Sequence, residues 1–358
     1  MERQILGPCF RGALLLAAAV LIAAQSAVSA AAGGNLYAVT NLVSDQSAQA
    51  AHTDPDLVNA WGLTSLPTSP WWVADNGTNV STLYQADGTK RSLTVQVPNA
   101  PTGAVSNPGA GFVVSNGTSS GPAIFIFATE EGKILGWNPN VSLTEAQVAV
   151  DHSGMAAVYK GLAIDSTNHF LYATDFRSAR VDVFNSSFQQ VNTPGAFVDP
   201  KTPVGYAPFG IQQVNGTIVV TYAKQDSARH DDVAGQGHGF VDRFDATGVF
   251  LGRVATHGQL NSPWGIAMAP AEFGSFAGDL LVGNFGDGQI SAFMPQTDGS
   301  YELVGQLRTG ERKVLTIDGL WSLQFGKGAA NNGPTTTLFF TAGSDGESHG
   351  LFGTITAG

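Results

Sequence analysis

The chain has 358 residues, 43% of them hydrophobic and only 13% charged, with a formal net charge of −11 at neutral pH. An acidic surface of this kind disfavours nucleic acid and anionic membrane surfaces as partners. The one cysteine, Cys9, lies in an N-terminal leader, so disulfides, thiol catalysis and cysteine-bound zinc are excluded for the mature chain.

Residues 1–32 read as a signal peptide. Arg3 and Arg11 give a basic start, residues 12–24 are apolar but too short to span a bilayer, and Val28-Ser29-Ala30 is a small-x-small cleavage signal. Cleavage after Ala30 or Ala32 yields a secreted or periplasmic protein. No later run approaches the ~20 apolar residues of a membrane helix.

From Trp61 onward one pattern recurs. Each unit opens on a glycine knot: Trp61-Gly62-Leu63, Lys160-Gly161-Leu162, Phe209-Gly210-Ile211, Trp264-Gly265-Ile266 and Leu320-Trp321-Ser322. An apolar strand follows (WWVAD, FLYATD, TIVVTYA, LLVGN, LFFTAG). A hairpin then leads to a strand closing on Tyr84, Phe184, Phe244, Phe293 or Phe352. The glycines at 62, 161, 210 and 265 are separated by 99, 49 and 55 residues, which places a hidden unit near Gly111-Phe112-Val113-Val114. Six units of about 50 residues with several strands each predict an all-β chain, a six-bladed β-propeller of four-stranded antiparallel blades.

The expected blades run from Trp61 to near Val97, then over 110–152, 160–199, 208–257 and 263–309, and from near Trp321 to the end. The best helix-like piece, SLTEAQVAV from Ser142, is short and is read as turning into an outer strand. The sixth blade has only three strands, so residues 35–44 (NLYAVTNLVS) are expected to supply the outer one, which removes an open edge. The result is one monomeric domain over residues 33–358.

The phrases HTDPDLVNAWGL, HDDVAGQGHGFVDRFD, LNSPWGIAMAPAEFGSFAGDLLVGNFGDGQI and DGLWSLQFG, with the ending TAGSDGESHGLFG, resemble an uncharacterised family of exported propellers. Some members of that family carry a PEP-CTERM sorting tail, which this chain lacks. More distantly the chain is similar to NHL-repeat propellers. The resemblance implies the fold and no reaction.

Four constellations could carry chemistry. The position before each knot glycine opens an innermost strand at one channel mouth: Trp61, Lys160, Phe209 and Trp264, with Trp321 aligned and Ala110 in the second blade. These aromatics suggest a stacking platform for a sugar or another ring, or else packing between blades. Gluconolactonase-like propellers hold a divalent cation with Glu, Asn and Asp near these positions, and rings supply no such oxygens. The second constellation is Asp75, Asp175 and Asn284, each nine residues before its aromatic, with Glu130 as the nearest counterpart. Their recurrence suits turn capping.

The third is the insertion KQDSARHDDVAGQGHGF, with Asp226, His230, Asp231, Asp232 and His238. His230, Asp231 and Asp232 are candidate ligands for a divalent cation such as Ca2+, against the alternative of a solvated hairpin. The fourth is His52, Asp54, Asp56 and Asn59, with Glu347 and His349, a candidate polar site at the same mouth. No nucleophile elbow is present. The leading expectation is an exported binding or scaffold protein that engages an extracellular carbohydrate or protein and needs no cofactor. The alternative is a metal-assisted hydrolase or lyase.

Overall fold

The computed structural model describes residues 36–358, so the leader, Cys9 and the cleavage signal lie outside the described residues. Six antiparallel sheets form a β-propeller. The innermost strands are Ala60–Thr64, Pro101–Ser106, Tyr159–Ile164, Tyr206–Val214, Pro263–Met268 and Leu320–Phe325. The SLTEAQVAV piece does end in an outer strand, Gln147–Asp151. No described helix is long and apolar enough to cross a membrane.

The second strands explain the apolar runs of the sequence. Trp71–Asp75, Phe125–Thr129, Leu280–Asn284 and Leu338–Ala342 are buried at every position. Each blade is sandwiched between two others, so both faces of a strand are dry and no alternation appears. The core lies between blades. Trp72 stacks on Phe125 at 4.1 Å between the first two, and Tyr172 meets Phe197 at 5.4 Å between the third and fourth.

The sixth blade closes as expected. Tyr37–Ser44 pairs antiparallel with Leu351–Ala357, from Tyr37 opposite Ala357 to Ser44 opposite Leu351. A short strand, His52–Thr53, adds to it in parallel.

The second blade corrects the sequence reading. Its innermost strand is Pro101–Ser106, and its knot glycine is Gly103, not Gly111. The stretch around Gly111 is instead an inserted hairpin, Val113–Ser115 with Ser120–Pro122. The reason is visible at the axis, where neighbouring innermost strands touch backbone to backbone. A Cβ on Gly62 would lie 2.4 Å from Thr102 O, on Gly103 2.4 Å from Leu162 N, and on Gly161 2.7 Å from Phe209 O. On Gly210 it would lie 2.1 Å from Trp264 O and on Gly265 2.5 Å from Trp321 O. The glycine repeat is the trace of this close approach. Ser322 takes the place in the sixth blade, where Thr341 Oγ1 accepts the Ser322 N–H at 3.1 Å and donates to Trp61 O. Thr174 spans the third and fourth blades in the same way, accepting from Gly161 N and donating to Phe209 O, both at 2.7 Å.

Candidate functional site at one end of the channel

Innermost strands start, and second strands end, at one face of the ring. The aromatic residues of that face do not form an open platform. Trp61 and Trp321 are 1% exposed, Phe209 0% and Trp264 8%. Trp61 stacks on Trp321 at 3.5 Å, and Phe285 stacks on the same indole at 4.0 Å. Trp264 meets both indoles edge-on at 6.1 and 5.8 Å, and Phe209 meets Trp321 at 5.9 Å. Of the two sequence readings, packing between blades is the one this burial supports, not an open stacking mouth. Six blades converging on one axis bring the rings within reach of one another, and they plug the channel.

Lys160 is the exception among the knot positions. It is 2% exposed, and its ammonium lies 5.2 Å from the Trp61 ring centroid. It donates to Glu130 Oε1, and to Asp231 Oδ1 at 3.1 Å. Burial alone would lower its pKa, but Glu130 and Asp231 outweigh this and hold it above the ordinary lysine value. Burial would likewise raise Asp231, yet Lys160 and His230 pull it below the usual carboxylate range.

A hydrogen-bonded chain extends from this pair. Asn76 Nδ2 donates to Glu130 Oε2 at 3.0 Å. Asn59 Nδ2 donates to Asn76 Oδ1 at 3.2 Å and to Glu347 Oε2 at 2.7 Å. Trp321 Nε1 donates to Asn59 Oδ1 at 3.1 Å, which ties the ionic layer to the plug. On the other side, His230 Nδ1 and Asp231 Oδ1 stand 2.8 Å apart. Asn59 holds its place with a φ of 48°, a left-handed conformation that asparagine tolerates better than most residues.

The sequence candidates divide. Asn59, Glu347, Lys160, His230 and Asp231 meet in this network. Asp54 and Asp56 do not: both pair with Lys90 at 2.7 Å, and Asp54 also accepts from the Tyr84 hydroxyl at 2.6 Å. His52 is exposed on the short outer strand, and His349 pairs with Asp45 at 2.7 Å. Asp226 caps the insertion, accepting from the His230 amide at 2.9 Å, and His238 faces Val233 O at 2.8 Å.

The metal set is corrected as well. Potential ligand atoms of Glu130, His230 and Asp231 lie within 4.8 Å of one another, and Asp232 is not one of this trio, although it lies within the field of Lys160 and Asp231. The Asp232 carboxylate is buried beside the Ser262 hydroxyl, and burial raises its pKa in spite of that neighbour and Lys160. Glu130 takes the position expected of Asp232, but the Lys160 ammonium already bonds to two of the three residues. The charge of Lys160 competes with a divalent cation for these carboxylates.

Sequence reasoning missed two members. In sequence Glu130 is the nearest counterpart of the capping residues Asp75 and Asp175. These do hold their turns: Asp75 accepts from Thr82 N at 2.9 Å, and Asp175 from Ser178 N at 3.2 Å. Asn76 carried no signal beyond its place after the second strand.

Burial pushes the Glu347 carboxyl above its ordinary value of 4.5, partly offset by the Asn59 amide. A carboxyl raised in the fold binds its proton more tightly there than in the unfolded chain. Its contribution is therefore fully present below the ordinary value and is lost as pH rises through the folded value. Glu347→Gln is expected to flatten the decline of melting temperature above pH 4.5. Identical pH profiles for the two proteins would show the carboxyl to be solvated.

No family model matches the chain. An uncharacterised protein of Acanthamoeba polyphaga mimivirus is 33% identical over 332 residues, covering 89% of this chain and 80% of that protein. Among solved structures, a protein of unknown function from Bacteroides thetaiotaomicron superposes with a TM-score of 0.56 at 10% identity, covering 89% of this chain and 76% of that one. Virginiamycin B lyase from Staphylococcus aureus superposes with a TM-score of 0.50 at 14% identity, covering 89% and 98%. At such identities these two likenesses show the propeller fold alone.

Proposed function

The chain belongs to the family of that mimivirus protein, and on that premise we propose that it is an exported binding protein whose ligand docks on the polar end of the channel. Lys160 is the observation that carries this reading. A nucleophilic lysine needs a depressed pKa, and this one is held up by two carboxylates. It acts as a fixed counter-ion that pins acceptors in place. The side chain of Asp231 is 65% exposed and that of His230 41%, so part of the network faces solvent. Four carboxylates, Glu130, Asp231, Asp232 and Glu347, face one ammonium there. Such a surface suits a ligand rich in hydrogen-bond donors, and a carbohydrate presents them as hydroxyls.

A glycan array followed by calorimetry tests the reading. Binding by the intact protein that weakens about tenfold in Asp231→Asn, as expected for a lost hydrogen bond to a charged group, supports it. No glycan bound, or an Asp231→Asn protein that binds equally well, overturns it.

The second reading is a metal-assisted hydrolase or lyase, favoured by the proximity of Glu130, His230 and Asp231. Lys160→Met separates the two. Under the binding reading, the intact protein retains no divalent ion after dialysis against metal-free buffer. The variant gains affinity for one and loses about 3 kcal/mol of stability through its unpaired carboxylates. One tightly held ion per intact chain would favour the enzyme.

Export rests on the basic start, the apolar run 12–24 and Val28-Ser29-Ala30. Mass spectrometry of the secreted protein should find a chain beginning at Ala31 or Gly33. Retention of the full chain in the cytoplasm would refute it.

A further inference from the structure

A second site lies between the third and fourth blades, on the same face of the ring but on the other side of the fourth-blade insertion. It is a cleft of about 460 Å³. Val198, Val204 and Tyr206 line its walls, Tyr222 stands among the lining residues, and Asp226 and Arg229 mark the insertion side. Tyr222 is 4% exposed, yet its hydroxyl has no hydrogen-bond partner.

The groups behind the cleft are unbalanced. Asp199 is 6% exposed and Asp242 0%, and both lean on a single guanidinium. Arg253 donates to Asp199 Oδ2 at 2.5 Å, to Asp242 Oδ1, and to the Thr202 hydroxyl at 2.9 Å. The second oxygen of Asp242 has no partner. Two buried carboxylates share one cation, so a second full negative charge there would lack a partner, and a buried unpaired charge is unfavourable. Burial accordingly pushes Asp242 up to about 7 in spite of Arg253, and burial with the fields of Asp242 and Asp199 pushes Tyr222 well above its ordinary value. The cleft walls are of the opposite character. Val204 is fully exposed and Val198 54% exposed, an arrangement that leaves apolar surface in water unless something covers it.

We propose that this cleft binds a small organic cation, an ammonium group carried on an apolar body. The ammonium supplies the missing positive charge beside Asp199 and Asp242 and donates to the Tyr222 oxygen. The apolar body covers Val198, Val204 and the Tyr206 ring. A neutral molecule of the same shape would gain the apolar contact without the charge. An anion would add to the imbalance.

The test uses the intact protein, 2-phenylethylamine as the probe and 2-phenylethanol as its neutral counterpart, read by saturation-transfer NMR and calorimetry at neutral pH. The amine is expected to bind about tenfold more tightly than the alcohol, in keeping with a charge-assisted hydrogen bond. Tyr222→Phe removes only the hydroxyl. Because that group has no partner, the variant should melt no lower than the parent while binding the amine several-fold more weakly. Asp199→Asn should reduce amine binding and leave alcohol binding unchanged. Asp231→Asn, at the channel end, should bind the amine as the parent does. Equal affinity for amine and alcohol, no binding of either, or undiminished amine binding by both Tyr222→Phe and Asp199→Asn would overturn the proposal. So would loss of amine binding in Asp231→Asn, since the amine would then belong to the channel end.

Discussion

A chain lacking residues 36–44 is expected not to fold as a soluble monomer. The deletion removes the whole ladder between Tyr37–Ser44 and Leu351–Ala357. It also removes Tyr37, Leu42 and Val43, which are 3%, 8% and 0% exposed. Tyr37 reaches into the fifth blade, donating its hydroxyl to Phe273 O at 3.1 Å and lying parallel to Phe276 at 6.0 Å. At about 1.5–3 kcal/mol for each large buried side chain and about 1 kcal/mol for each ladder hydrogen bond, the loss is on the order of 10 kcal/mol. That is comparable to the whole stability of a typical domain. The Leu351–Ala357 edge would also be left open to other chains. Size-exclusion chromatography should show aggregate, and the cooperative melting transition should vanish. A soluble monomer melting like the intact protein would mean that the sixth blade closes without this strand.

Gly210→Ala is expected to be the most damaging single-methyl change among the glycines at the axis. The new Cβ would stand 2.1 Å from Trp264 O and 2.9 Å from Thr221 Oγ1. Neither can yield cheaply. The carbonyl belongs to the next innermost strand, and the threonine hydroxyl accepts the Gly210 N–H at 2.8 Å. Separating two strands at the axis strains the contacts on both sides of the ring, so a loss of about 3 kcal/mol or more is expected. Gly310→Ala is the control, since nothing lies within 4 Å of its added methyl. It should change stability by no more than about 0.5 kcal/mol. Chemical denaturation of both variants reads the difference, and equal midpoints would show that the axis is looser than the backbone contacts imply.

Much of the fold was legible because its signals are local. A dry second strand demands an unbroken apolar run, and a close approach at the axis demands glycine, so each recurs wherever a blade recurs. The reading slipped at the second blade for the same reason. Gly111-Phe112 mimics a knot, with Phe112 0% exposed against Phe188 at 5.1 Å. Only the strand order shows that Pro101–Ser106 is the innermost strand of that blade.

The candidate site was half legible. Lys160 broke an aromatic series and drew attention by doing so. Its partners lay 30 and 71 residues away at Glu130 and Asp231, at distances in sequence that carry no mutual signal.

The sequence by itself determined the period, the strand content, four of the five glycines at the axis and the closing strand. Each of these is dictated by the chain's local chemistry or by its repetition. The tertiary structure alone decided which way the aromatic residues face, which carboxylates reach Lys160, and that Asp199 and Asp242 share one arginine. Those outcomes depend on blades far apart in sequence meeting around a common axis, where packing fills the space with rings and burial forces each charge to find whatever partner the next blade presents.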